Sequence, residues 1–286
     1  MNVIYTVNAM QAQAREWARQ GKTIALVPTM GGLHAGHGAL IRRAGETADV
    51  VVVSVFVNPT QFGPGEDYER YPRDLESDCT QCAQAGADLV FAPTATDMYP
   101  AQPGVFVSEE ETANTFEGAS RPGHFKGVLT VVAKLFWAVQ PQVAVFGRKD
   151  AQQLWLIQRM VRELNIPVQI VDVPTVREAD GLALSSRNAY LSPAQRAQAT
   201  CLYRALQAAR QQFDAGERDA QALHATMQET IRTAPDADID YLAIVDAERF
   251  TPVTTLSQPA LALLAVRIGT TRLIDNMELA GTAKTT

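Results

Sequence analysis

Residues 24–44 read IALVPTMGGLHAGHGALIRRA, and this stretch decides the fold. A short apolar run, Ile24 to Val27, is broken by Pro28; a loop with Gly31, Gly32 and Gly36 follows, and apolar residues then return at helical spacing. Leu40, Ile41, Ala44 and Ala48 share one helical face, with Arg42, Arg43 and Glu46 mostly off it. The pattern predicts strand, tight turn, helix. Glycines let a loop backbone approach a ligand closely, and a helix N-terminus offers unpaired N–H groups at the positive end of a dipole. The loop therefore has the build of a phosphate cradle. His34 and His37 stand at the helix mouth, one turn apart, so their rings face the same side and suit the charge that develops when a triphosphate is cleaved. For one histidine, bonding to the backbone would suffice as an explanation; two in this setting favour a nucleotide site.

Outward from this stretch the same design recurs. Residues 9–20 read as a short helix closed by Gly21, and Val50 to Val57 is a nearly unbroken β-branched run that suits a strand buried on both faces, as in a parallel sheet. That strand must end at Asn58-Pro59. Beyond it, NPTQFGPGEDYERYPRD lies just past a strand's carboxyl end, the edge at which open α/β sheets bind ligands. Gln61, an uncharged amide that donates and accepts, suits a hydroxyl or carboxylate there. A helix is expected over 74–86, then strand-like Asp88 to Ala92. In RPGHFKGVLTVVAKLFWAV, Arg121, His124 and Lys126 precede an apolar helix, as either a mobile flap over an anionic substrate or a basic surface loop. Val143 to Phe146 is another strand running into a turn, Gly147-Arg148-Lys149-Asp150, where Lys149 suits phosphate oxygens and Asp150 a helix cap or a ribose hydroxyl. A strand over Ile166 to Val173 precedes a loop with Ser185, Ser186 and Arg187, two hydroxyls and a guanidinium suited to β- and γ-phosphates. From Pro193 two helical segments, 193–214 and 219–233, precede strand-like 239–245, 260–268 and 271–276, with no nucleotide motif among them.

The expected class is α/β: a Rossmann-like parallel sheet with flanking helices over residues 1–175, and a smaller C-terminal α+β lid domain over 176–286. The stretch PTMGGLHAGH resembles the HIGH-type signature of nucleotidyl-transferring α/β enzymes and, in detail, that of the pantoate–β-alanine ligase family. Four further blocks agree in order across residues 24–191: VNPTQF, the helix with Asp78 and Gln81, GRKDAQQ, and LSSR, similar to the family's counterpart of a KMSKS loop. The resemblance implies ATP as substrate with Mg2+, condensation of (R)-pantoate with β-alanine through pantoyl adenylate, and release of AMP and diphosphate. It implies that His34, His37, Lys149 and Arg187 stabilise phosphate charge. ATP would meet Met30, Gly31, Gly32, Leu33, Ala35, Gly36, Gly147, Arg148, Asp150, Val176, Leu184, Ser185 and Ser186. Pantoate and β-alanine would meet Asn58, Gln61, Tyr71 and Gln153. Asp78 and Gln81 would reach the magnesium–phosphate group, or else be ordinary surface. A homodimer is implied by the same likeness. Ala35, Gly38, Leu184 and Ser77 depart from the family's usual residues, the first an acidic one, the second a larger apolar one, the third methionine and the fourth acidic.

A net charge of −6 over 286 residues disfavours a broad nucleic-acid or anionic-membrane surface. With no leader-like N-terminus and no span long enough for a bilayer, the expected location is the cytoplasm. Cys79, Cys82 and Cys201 form neither a zinc set nor a disulfide framework. No Ser-His-Asp or Cys-His set suggests an acyl-enzyme. Two rivals share parts of the pattern: an adenylyltransferase that stops at a stable nucleotide product, and a non-catalytic adenine-nucleotide sensor. The first gives no reason for the strings around Gln61 and Gln153, and the retention of every charged group expected at the phosphates speaks against the second.

Overall fold

A computed structural model describes residues 1–280. Strands β1 (Asn2–Ile4), β2 (Ile24–Thr29), β3 (Val50–Val55), β4 (Leu89–Phe91), β5 (Val143–Gly147) and β6 (Gln169–Val173) form a parallel sheet in the order β1-β4-β3-β2-β5-β6. The β-branched runs become its centre because a strand buried on both faces needs side chains that pack in both directions. Ile24, Leu26, Val50 and Val52 face one core; Ala25, Val27, Val51 and Val53, alternating with them, face another. Helices α1 (Val7–Arg19), α2 (Ala35–Gly45), α3 (Leu75–Ala85), α4 (Ala95–Met98), α5 (Glu117–Ser120), α6 (His124–Val139) and α7 (Ala151–Glu163) flank it. Met10 and Ala14 of α1 and Leu129, Val132 and Phe136 of α6 cover the first face, while Ile41 and Ala44 of α2 and Cys82 and Ala85 of α3 cover the second. After β2 the chain builds the sheet one way through β3 and β4, then resumes on the other side at β5. That reversal is the point at which such sheets bind ligands, and the histidine loop follows β2 there.

The C-terminal helices are α8 (Pro193–Ala199), α9 (Cys201–Asp214) and α10 (Ala220–Arg232), followed by antiparallel strands β7 (Ala237–Asp246), β8 (Ala260–Ile268) and β9 (Thr271–Leu279) in that order. Their own core joins Leu202, Leu206, Leu223 and Met227 to Ala262, Leu264 and Val266. By contacts the chain divides into two compact units, Met1–Arg148 with Gln153–Thr175, and Lys149–Gln152 with Val176–Thr286. The segment Lys149–Gln152 thus goes with the C-terminal residues although it lies within the first sequence block. The segment expected to be one helix over 193–214 is interrupted at Thr200, whose hydroxyl bonds back to the Ala197 carbonyl. Strand β6 begins three residues later than expected, at Gln169, because Pro167 has no N–H to give a ladder.

Candidate active site

His34 caps α2. Its Nδ1 accepts the Gly36 N–H at 3.1 Å, and His37 Nδ1 accepts the His34 N–H at 3.2 Å, so each histidine holds the other's backbone in a capping box. Because both Nδ1 atoms accept, a neutral ring here carries its proton on Nε2. The ring centroids lie 4.1 Å apart, on one side as the spacing implied. The bonding that would have sufficed for a lone histidine is therefore present, and it is what orients the pair.

The loop's amides correct the phosphate-cradle expectation. Gly31 N–H donates to Thr29 Oγ1, while Gly32 and Leu33 N–H donate to the two Asp78 oxygens at 3.1 and 2.8 Å. The anion that this loop cradles is the protein's own carboxylate. Gly31, at φ +88°, is required for it: a Cβ there would meet Asp78 Oδ2 at 2.8 Å. Asp78 is 2% exposed, and its burial pushes the carboxyl up against the opposing pull of the Leu33 and Gly32 amides. It is committed to the loop rather than presented to a magnesium ion. Gln81, one turn on, lines a recess between α2 and α3 with His34 and Arg42. Among the described residues no group of three or more His, Cys, Asp or Glu is arranged to hold a metal.

At the end of the neighbouring strand, Pro59–Gln61 forms a single 3-10 turn capped by Asn58. Asn58, expected at a substrate, is instead 1% exposed and used within the protein. Its Oδ1 accepts from Thr60 and from the Tyr99 hydroxyl, and its Nδ2 donates to Gln61 Oε1 at 3.0 Å and to the Gly127 carbonyl at 3.2 Å. Gln61 Nε2 reaches Met30 Sδ at 3.0 Å, linking this turn to the histidine loop. Tyr71, also expected at a substrate, is buried, with its hydroxyl 3.5 Å from the Gly31 carbonyl. Gln153, near the start of α7, is half-buried.

The basic residues 121–126 do not make a charged flap. Arg121 lies between Glu66 (2.7 Å) and Glu117 (3.4 Å), Lys126 stacks 4.2 Å over the Phe106 ring, and His124 is buried in α6. His124 Nδ1 donates to the Gln61 carbonyl at 2.8 Å, which leaves Nε2 to accept from Arg121 Nη1 at 3.0 Å. Burial, and then the adjacent guanidinium, push His124 down to about 4, so the ring is neutral. Nothing in RPGHFKG marks this histidine as buried.

In the second unit, Lys149 Nζ is 3.8 Å from Asp150 Oδ1 and the Lys149 carbonyl accepts from Asn276 Nδ2 at 2.8 Å. Arg177 and Ala183 bridge a hairpin, closed by Leu184 N–H to the Val176 carbonyl at 3.0 Å, and Ser185 then caps the turn Ser186–Tyr190 by accepting the Arg187 N–H. In the first unit Gly147 ends β5, and Arg148 pairs with Asp172. Burial pushes the Cys82 thiol up to about 12 and Cys201 up to about 11, and raises Cys79 as well.

A helix capped by two histidines after β2, with an amide held beside it at the end of β3, defines the class: a Rossmann-like α/β nucleotide-binding enzyme with a HIGH-type loop. Comparison with known proteins narrows this to one family. The chain belongs to the family whose model is described as pantoate-beta-alanine ligase, matched over residues 2–278. It is 56% identical over 277 residues to the pantothenate synthetase of Heliobacterium modesticaldum, covering 97% of this chain and 99% of that one. To the pantothenate synthetase of Geobacter sulfurreducens it is 54% identical over 279 residues, covering 98% and 99%. Among solved structures, pantothenate synthetase from Thermus thermophilus matches with a TM-score of 0.93 at 48% identity, over 98% of this chain and 100% of that chain. The pantoate-beta-alanine ligase of Francisella tularensis, complexed with beta-gamma ATP and beta-alanine, matches with a TM-score of 0.80 at 34% identity, over 98% and 99%.

Proposed function

We propose that this ligase condenses (R)-pantoate with β-alanine at the expense of ATP, through pantoyl adenylate. A pantoate carboxylate oxygen attacks the α-phosphorus and the bond to diphosphate breaks; the neutral amine of β-alanine then attacks the acyl carbon, AMP leaves and the amine proton is lost. Adenylation is needed because a carboxylate has no adequate leaving group for amide formation at neutral pH. The protein's task is to neutralise phosphate charge, align the reactants and exclude water. His34 and His37 donate from Nε2 to phosphate oxygens, with Lys149, Ser185, Ser186 and Arg187 as the remaining phosphate ligands. Magnesium arrives on ATP, as part of the substrate. Gln61 and Gln153 hold pantoate, while Asn58, Met30 and Tyr71 set the positions of Gln61 and the loop.

The observation that supports this reading is the Gln61–Met30 contact at 3.0 Å, by which the Gln61 turn meets the histidine loop. Retention of every charged group expected at the phosphates speaks against a non-catalytic sensor. A homodimer working in the cytoplasm completes the proposal; light scattering after gel filtration checks the first. The activity is tested by mass spectrometry of products from ATP, magnesium, (R)-pantoate and β-alanine, each omitted in turn. Equal pantothenate and AMP, lost on any omission, is the expected result; ATP binding without pantothenate would overturn it.

A further inference from the structure

In mid-strand β9 carries two adjacent buried polar residues where a core strand would ordinarily be apolar: Asp275 is 4% and Asn276 8% exposed. Arg177 clasps Asp275 with both terminal nitrogens, Nη1 to Oδ2 at 2.5 Å and Nη2 to Oδ1 at 2.9 Å. It also donates to the Gly181 and Asn276 carbonyls and lies 4.4 Å over the Tyr203 ring. A buried ion pair is a poor source of stability, since apolar residues of the same shape are often as good or better. What this one does supply is a fixed backbone. Asp275 Oδ1 accepts the Asn276 N–H at 2.8 Å, and the Asn276 side chain, held in that frame, donates to the Lys149 carbonyl at 2.8 Å. Burial pushes the Asp275 carboxyl up, and the Arg177 guanidinium bonded to it pulls it back.

We infer that Asn276, anchored by the Asp275–Arg177 pair, is a positioning residue that fixes Lys149 for ATP. This rests on the reading of Lys149 as a phosphate ligand given above. No motif in the C-terminal third announces the role, because the contact is made to a backbone carbonyl 127 residues away. A flexible four-carbon side chain places its charge only as well as its own backbone is held. The same Arg177 belongs to the hairpin that leads into Ser185–Arg187, so both segments are referred to one strand.

The test is calorimetric binding of β,γ-methylene ATP with magnesium to the parent protein, Asn276→Ala, Lys149→Ala and the double variant. Asn276→Ala should weaken binding about five- to tenfold, the scale of one lost hydrogen bond. In the Lys149→Ala background the same change should cost less than about twofold, because coupled residues are non-additive. Equal losses in both backgrounds would mean a general structural role and overturn the inference. Asn276→Leu, similar in shape but without the donor, guards against a folding defect: it should bind as weakly as Asn276→Ala, and a folded Asn276→Leu protein with parental affinity would also overturn it. If Lys149→Ala alone binds like the parent, the reading of Lys149 fails first, and that single variant shows it.

Discussion

Leu33 donates its backbone N–H to the Asp78 carboxylate at 2.8 Å across 45 residues of chain, so the glycine loop before α2 is shaped by an anion built into α3. Removing that anion leaves two donors unmatched, the buried Leu33 amide and the half-buried Gly32 amide. Asp78→Ala should destabilise the fold by about 2–4 kcal/mol and Asp78→Asn, which keeps one acceptor, by about 1 kcal/mol. Urea unfolding checks both, and a change below about 0.5 kcal/mol in Asp78→Ala would contradict the assignment.

The buried His124 makes stability depend on acid. Its folded value of about 4 lies below the ordinary 6.5, so between these values the unfolded chain binds more protons and stability falls as the pH falls. Facing it are Arg121, Glu117 and Glu66, and Glu66 is itself held low because its bonds to Arg121 outweigh its burial. The loss attributable to the ring is roughly 3 kcal/mol on going from about pH 7 to pH 4. In His124→Gln that part of the slope should vanish, as read from unfolding free energies measured at several pH values. An identical slope in parent and variant would refute the assignment.

Asn58 and Gly127 touch the site only through Gln61. Asn58 Nδ2 bonds Gln61 Oε1, and a Cβ at Gly127 would fall on the Thr60 carbonyl and 2.7 Å from Gln61 Cα. Asn58→Ala and Gly127→Ala should each raise KM for pantoate about tenfold or more while KM for ATP stays within about twofold. Initial rates with each substrate varied in turn measure this split. Equal effects on both substrates would mean that the turn does not act on pantoate.

Gly181 sits at φ +94°, where a Cβ would enter the Tyr203 ring. Gly181→Ala combines left-handed strain with overpacking and should cost about 2–4 kcal/mol. A drop in Tm by differential scanning calorimetry is the readout; an unchanged Tm would mean that the hairpin adapts.

The fold was legible where the sequence states a physical requirement outright. The run Val50 to Val57 reads as a strand buried on both faces, of which β3 takes Val50–Val55, and Pro-Thr-Met-Gly-Gly before a helical apolar pattern had to be a strand and a turn. Both the histidine pair and the Gln61 turn follow from that placement. Less legible was β1, three residues long, whose identity comes from pairing with β4 at the sheet edge rather than from its own pattern. Illegible were the distant polar contacts. Nothing near Asp78 says that its partners are amides at 32 and 33, and nothing near Asn276 points to Lys149. Local pattern reports which face is buried; it does not report which polar group meets which across the fold.

The central claim is transfer through an acyl adenylate, and oxygen labelling tests it most directly. With (R)-pantoate carrying 18O in its carboxylate, together with ATP, magnesium and β-alanine, one labelled oxygen should appear in AMP for each pantothenate formed. Unlabelled AMP, or ADP and phosphate as products, would contradict it.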